Sequence, residues 1–489
     1  MTGFPQTPEY TGLNTPIGEE YDEAGLEVTG TIPPEVEGAF FRAVPDPAYP
    51  PFMEDGGAIL SADGMISGIY FEGGKVRASA RFVQTARHQA EVKAGHTLFG
   101  KYRNVFTDKP EVAGVDRTVS NTTPVWHAGK LLMTKEDGRP YRVDPNTLET
   151  LGSYDFGGKL RSQTMTAHVR IDPVTGEMFF YGYECAGLAT AKIAYCVADR
   201  DGNLVSEQWF DPPYCAMMHD FTITENYALF PIYPTTADLD RIKAGGDHWV
   251  HEMDRDSWVG VVPRYGSVDE VRWFRGPKGV MSYHMMNAHE DAEGRILFDQ
   301  CLADCNAFPF IQKASGYNIS PQDMNGRLAR WTIDLNDGSD TVTETVIGPP
   351  GDFPLIPAAR QGRSFDHGWV LTMNPELRGP PVLGGPVGVM FNLMLRLDFT
   401  GRPPQAFALP PMMSFNEPVH VPSAAPGHDG WLVLVVDRQT GPDAFEHEVW
   451  ILDGGDIAAG PVATVKLPRR TRPQVHGWWV GAAQLAAAA

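Results

Sequence analysis

Apolar residues in this chain gather in short, strand-length runs separated by polar Asp/Gly turns, and the 3.6-residue spacing of an amphipathic helix is scarce. The stretches "MFFYGY", "YCVADRDGNLVSEQWF", "HEDAEGRILFDQ", "RLDFTGRPPQAFAL" and "VWILDGGDIAAGPVATVKL" show the pattern. Asp and Gly adopt the conformations that tight reversals need, so each of these stretches is predicted to be a β-hairpin. With 51 Gly and 41 Pro among 489 residues, turns recur along the whole length. No compositional break or Ser/Gly linker divides the chain, and one domain over 1–489 is expected. Repeated antiparallel hairpins in a chain this long point to a β-propeller of four-stranded blades, although no WD or kelch signature appears. "GHTLFGKYRNVF" and "PTTADLDRIKAG" break the pattern and are predicted to be loops or short helices capping one end.

Four of the apolar runs contain a histidine: His168 in "TMTAHVRI", His219 in "AMMHDFTI", His284 in "GVMSYHMMNA" and His476 in "RPQVHGWWV". A single histidine in such a run is usually a hydrogen-bonded core residue. The recurrence changes that reading. The four lie 51, 65 and 192 residues apart, about one, one and three to four blades, so one inner-strand residue per blade would bring them to a common axis. Four neutral imidazoles there suit a divalent first-row metal. Ligating imidazoles usually donate their second N–H to a carboxylate or carbonyl, and isolated acids in apolar or Pro-containing stretches are candidates for that role. Glu136 in "LLMTKEDG", Asp352 in "GDFPLIP" and Glu417 in "FNEPVHVP" fit.

Charge and cysteine narrow the setting. The net charge of −21 disfavours nucleic acid and anionic lipid as partners. The five cysteines (Cys185, Cys196, Cys215, Cys301, Cys305) have no framework or zinc-site spacing, as expected of reduced thiols in a cytoplasmic protein. "MTGFPQTPEYTG" lacks the features of a signal peptide, and the apolar runs are too short for stable membrane insertion. "GHTLFGKY" approaches a phosphate-binding loop but has Tyr102 where the magnesium-binding hydroxyl belongs. "DHWVHEMD" pairs His248 with His251 at metal-compatible spacing, but its polarity predicts a solvated loop. The other histidines (88, 96, 127, 289, 367, 420, 428 and 447) mostly neighbour turn or polar residues.

Several motifs taken together resemble the carotenoid cleavage oxygenase superfamily, and within it the bacterial lignostilbene and isoeugenol oxygenases. They are "GAFFRAVPDPAYPP", "TLFGKYRN", "NTTPVWHAGKLLMTKEDG", "TMTAHVRIDPVTGEM", "MMHDFTITENYALF", "HMMNAHED", "NEPVHVP" and "ATVKLPRRTRPQVHGWW". The resemblance implies an all-β, seven-bladed propeller, with a dome of loops and short helices over an axial Fe(II) held by His168, His219, His284 and His476. It places Glu136, Asp352 and Glu417 behind the histidines. Asp352 departs from the glutamate usual there, which leaves direct or water-bridged contact open. Thr122 matches a threonine beside the open iron position. Tyr102 and Lys135 match residues that hold a substrate 4-hydroxyl, although on its own Lys135 reads as a solvated charge at a strand end.

The implied reaction is cleavage of an alkene by O₂, as co-substrate, to two carbonyl products. The expected substrate is a small phenolic alkene such as isoeugenol, 4-vinylguaiacol, lignostilbene or resveratrol, giving aromatic aldehydes such as vanillin. Partner expectations stop at that substrate and, at most, a second copy of the chain in a homodimer. Ile59, Tyr283, Phe308 and Val475 are the expected pocket lining. Ile59 replaces an aromatic residue and Ala62 a turn glycine, while Tyr283 replaces a small residue of the lignostilbene type, which favours shorter substrates. The rival readings are an apocarotenoid cleavage oxygenase, a calcium-dependent propeller hydrolase and a non-catalytic propeller scaffold. The hydrolase would need carboxylate and amide oxygens on its axis.

Overall fold

The computed structural model describes residues 3–53, 58–308, 311 and 325–488. Seven antiparallel sheets form the ring of a β-propeller. Blades I to V each have four strands in sequence order, spanning 123–153, 170–210, 222–278, 281–348 and 352–408. In blade VI the strands Met413–Phe415 and Val419–Val421 both pair with Trp431–Gly441; Ala444–Asp453 and Pro461–Lys466 follow, and Val28–Gly30 forms the outer edge. Blade VII closes the ring by adding Gly477–Gly481 to Gly38–Pro45, Gly64–Glu72, Lys75–Phe82 and Tyr21–Ala24. The most distant parts of the sequence thus share two blades.

The apolar runs lack a polar face because blades pack on both sides. Side chains alternate across a strand, so successive residues reach different neighbours. In "WLVLVV", Leu432 and Leu434 pack toward blade V, whereas Val433 and Val435 pack toward blade VII. Phe179 and Tyr181 join the core shared by blades II, III and IV, while Met178 and Phe180 face blade I. Phe40 and Phe41 divide in the same way between blades VI and I. The hairpins predicted at 195–210, 289–300, 396–409 and 449–467 are present, whereas "MFFYGY" is the single strand Met178–Tyr183, too short to turn back on itself.

The segments that break the pattern lie outside the blades. Ala86–Ala94 is a helix capped by the Thr85 hydroxyl, which accepts from His88 N–H, and it ends at left-handed Gly95. Leu239–Lys243 is a short helix capped by Asp238, within an excursion whose ends pair as Thr235–Thr236 with Val250–His251. The expectation of a solvated loop at His248 and His251 is corrected: both are buried, because the excursion folds back over blades II to IV and their ring nitrogens meet internal partners. Among the described residues no helix is long and apolar enough to cross a membrane.

Ring closure places a specific demand on Gly38. Its φ is +142°, and a Cβ there would collide with the Val480 carbonyl of the closing strand. Gly38→Ala is expected to lower the thermal midpoint by about 1–3 °C, through about 1–3 kcal/mol of local strain spread over the unfolding entropy of a chain this long. Differential scanning calorimetry checks this, and an unchanged midpoint would show that the closure tolerates a side chain.

Candidate metal centre

The four histidines arrive from blades II, III, IV and VII. His168 and His219 precede the inner strands Arg170–Ile171 and Thr222–Ile223, His284 lies within Met281–Glu290, and His476 immediately precedes Gly477–Gly481. The other three blades supply the carboxylates. Glu136 follows Lys130–Thr134 in blade I, Asp352 opens Asp352–Leu355 in blade V, and Glu417 sits between the two short inner strands of blade VI. Register irregularities flank Met285 in Met281–Glu290, where the ladder steps from Ser282 to Met285 and then to Asn287. Such a bulge re-aims side chains, so consecutive Tyr283 and His284 both face the axis.

One nitrogen from each histidine falls in a group no more than 4.8 Å across. His168 Nε2 lies 3.0 Å from His219 Nε2, and His284 Nε2 lies 3.3 Å from His476 Nε2. Behind them, His219 Nδ1 is 3.1 Å from Glu136, His284 Nδ1 is 2.7 Å from Asp352 and His476 Nδ1 is 2.9 Å from Glu417. Asp352 therefore contacts its histidine directly despite its shorter side chain. Glu417 also accepts the Gly477 N–H at 2.8 Å. Among the described residues no carboxylate accompanies His168. Burial, and then the neighbouring imidazoles, push His168 well below its ordinary pKa. Burial alone would raise Glu136 and Asp352, but His219 and His284 respectively hold both below the usual carboxylate range.

This donor set fits a divalent first-row cation. A neutral imidazole carries one N–H, and three carboxylates direct that N–H outward on Nδ1. The Nε2 lone pairs of His219, His284 and His476 then converge on the axis with that of His168. Lone pairs held this close repel one another, and a cation at their focus turns the repulsion into coordination. Calcium is a poor fit, since the converging atoms are nitrogens.

A sequence profile for the family described as retinal pigment epithelial membrane protein matches residues 14–481. The chain belongs to that family, the carotenoid oxygenases. It is 38% identical over 495 residues to lignostilbene-alpha,beta-dioxygenase isozyme III of Sphingomonas paucimobilis, covering 100% of both chains. It is 39% identical over 485 residues to isoeugenol monooxygenase of Pseudomonas putida, covering 96% of this chain and 98% of that one. The crystal structure of Pseudomonas brassicacearum lignostilbene dioxygenase superposes with a TM-score of 0.93 at 37% identity, over 98% of this chain and 100% of the other.

In this carotenoid oxygenase the remaining predicted residues fall into two groups. Lys135 is buried, not solvated, and its ammonium lies 5.3 Å from the centroid of the half-buried Tyr102 ring. Among the described residues Lys135 forms no ion pair within 4.0 Å, and burial lowers its pKa. Thr122 is buried on the same hairpin: its N–H donates to Thr134 O and its hydroxyl to Asn121. Asn121 in turn donates to Ala62 O, anchoring the turn after Ile59. The Ile59 side chain lies outside the described residues. Tyr283 packs edge-on against His219 at 5.3 Å, and Phe308 edge-on against Tyr283 at 4.6 Å. Val475 is half-buried, with its N–H donating to Ala43 O.

Three features were not anticipated from the sequence. Phe353, left-handed at φ +50°, stacks on His284 with centroids 5.1 Å apart. Arg103 pairs with Glu184 behind Tyr102, and His248 lies 3.0 Å from Glu184. Burial would raise Glu184, but Arg103 lowers it to about 2. A polar cavity of about 440 Å³, lined partly by Arg103, Asp137, Arg139, Gln163 and Glu184, adjoins this pair and includes none of the four histidines. The "DHWVHEMD" motif was a usable signal for His248; its polar neighbours concealed the burial.

Metal affinity tests the geometry. His284→Ala is expected to abolish stoichiometric divalent-metal binding, while Asp352→Ala weakens it by about 10–100-fold. Chelator competition separates the two, and wild-type affinity in both variants would refute a metal role for this cluster.

Proposed function

We propose that this chain is a non-haem Fe(II)-dependent oxygenase that cleaves the side-chain double bond of 4-hydroxyphenyl alkenes with O₂ to give aromatic aldehydes. The observation that carries the reading is the buried Lys135 beside Tyr102, on the same short segment as Glu136. Asp137 and Glu136 act on this cation only from beyond 4.0 Å, and a cation taken out of water is costly unless an anionic or strongly accepting group meets it directly. A substrate phenol at Tyr102 and Lys135 supplies that group. An apolar carotenoid tunnel does not, which disfavours the apocarotenoid reading.

Bound iron would let ground-state O₂, a triplet, react with a closed-shell alkene. The protein's own residues do the rest. His168, His219, His284 and His476 would hold the metal, and Glu136, Asp352 and Glu417 keep three of their lone pairs aimed inward. Lys135 and Tyr102 favour the phenolate over the phenol by charge and hydrogen bonding. The phenolate charge delocalises through the ring and makes the alkene more electron-rich. Thr122 stands on the hairpin that carries Lys135 and Glu136, where it would border the open metal position. Tyr283, backed by Phe308, limits the space beside His219 and so favours propenyl- and vinylphenols over two-ringed stilbenes.

Aerobic turnover of the Fe(II)-loaded protein on isoeugenol, 4-vinylguaiacol and resveratrol tests this. Lys135→Ala is expected to lower kcat/KM by about 10²–10³, the effect of removing one preorganised charge-stabilising donor. A 4-methoxy analogue, which cannot ionise, should be a poor substrate for wild type and insensitive to that substitution. Aldehyde formation from the phenols and the 4-methoxy analogue alike, unaffected by Lys135→Ala, would remove the phenol from the recognition scheme.

A further inference from the structure

The excursion between Thr235 and His251 reaches both tyrosines of the proposed pocket. Its two histidines, His248 and His251, have opposite assignments. His248 Nδ1 lies 3.2 Å from the Arg103 carbonyl, one residue from Tyr102, and its Nε2 lies 3.0 Å from Glu184, which grips the Arg103 guanidinium. Asn104 ties the same loop to the carbonyls of Ile242 and Gly246 at 2.9 and 2.8 Å. This arm fixes the excursion against the Tyr102 loop.

The other arm ends at Tyr283. His251 Nε2 lies 2.8 Å from the Gly279 carbonyl, which can only accept, so the proton is on Nε2. In neutral His251, Nδ1 then accepts, and the Thr235 hydroxyl donates to it at 2.9 Å, a nearer acceptor than Met281 Sδ at 3.7 Å. The Thr235 oxygen in turn accepts from the Asn306 amide nitrogen at 3.0 Å. The Phe308 N–H, which can only donate, fixes the amide with Oδ1 facing it at 2.9 Å, so the same Oδ1 accepts the Tyr283 hydroxyl at 2.8 Å while the Thr235 oxygen anchors the amide nitrogen. Thr235, Asn306, Tyr283 and His251 are all buried. A chain of hydrogen bonds thus runs from the Gly279 carbonyl through His251, Thr235 and Asn306 to the Tyr283 hydroxyl, and the Tyr283 ring packs beside His219.

We propose that the His251–Thr235–Asn306 relay is a specificity-determining device: it pins Tyr283 in the position that shortens the pocket, and so selects one-ringed over two-ringed phenolic alkenes. The relay rests on the proposed function for its substrate class. Its residues are positioning residues, since none is placed against substrate or metal. Releasing the Tyr283 hydroxyl lets the ring turn aside and lengthens the pocket.

The experiment is a mutant cycle read as the ratio of kcat/KM for resveratrol to that for isoeugenol, with iron content measured in parallel. Asn306→Leu is expected to raise the ratio about tenfold, the effect of one buried hydrogen bond, mainly through a lower KM for resveratrol. Thr235→Val should move it the same way and Thr235→Ser should restore it, because serine keeps the hydroxyl. Tyr283→Phe alone should match Asn306→Leu, and the double variant should add nothing. Thr235→Val and Tyr283→Phe carry the comparison if Asn306→Leu does not fold. A ratio unmoved by these variants at wild-type iron content overturns the relay, and so does an equal effect of Asn306→Leu in the Tyr283→Phe background. Wild-type protein that binds iron and cleaves neither substrate overturns the proposed function, and the relay with it.

Discussion

Three hydrogen bonds from imidazole Nδ1 to carboxylate, at His219, His284 and His476, govern what the propeller axis can do. Each fixes a tautomer, and together they turn the Nε2 lone pairs toward one point. Without them the same four histidines could rotate or donate their protons inward, and the group would be an ordinary polar core. The carboxylates come from blades I, V and VI and the imidazoles from II, III, IV and VII, so every blade contributes one residue. The centre therefore depends on the whole ring.

Ring closure and metal geometry are accordingly coupled. His476 immediately precedes the strand that pairs with Gly38–Pro45, and the Glu417 carboxylate holds both its imidazole and the next backbone N–H. A shift in closure would move one of the four donors directly. The apolar packing that resists such a shift is continuous around the ring, because each inner strand presents alternate residues to the blades on either side. Away from the axis, the excursion 235–251 performs a similar role for the proposed pocket, tying one wall to the Tyr102 loop and the other to Tyr283.

Much of this was legible in the sequence. The hairpins at 195–210 and 449–467 follow from apolar runs and Asp/Gly turns, and the histidines stood out because they interrupted such runs. Glu136, Asp352 and Glu417 were found as acids isolated among apolar residues or prolines. The direct bond from Asp352 was not readable, since its reach depends on the register of blade V against blade IV. His248 and His251 were misread because sequence polarity reports composition, while burial depends on what folds over a segment. Lys135 illustrates the same gap: a lysine at a strand end is ordinarily solvated, and only tertiary packing takes this one out of water.

The sequence by itself determined the strands, the turns and the identity of the metal-compatible side chains, because those follow from alternation, turn propensity and donor chemistry within a few residues. The tertiary structure alone decided which nitrogen of each histidine faces the axis, which acid stands behind it, and where Tyr283 points. Those choices are made by contacts between segments as far apart as Thr235 and Asn306, or Glu417 and His476, whose distances are set by how neighbouring blades pack and, for His476, by closure of the ring.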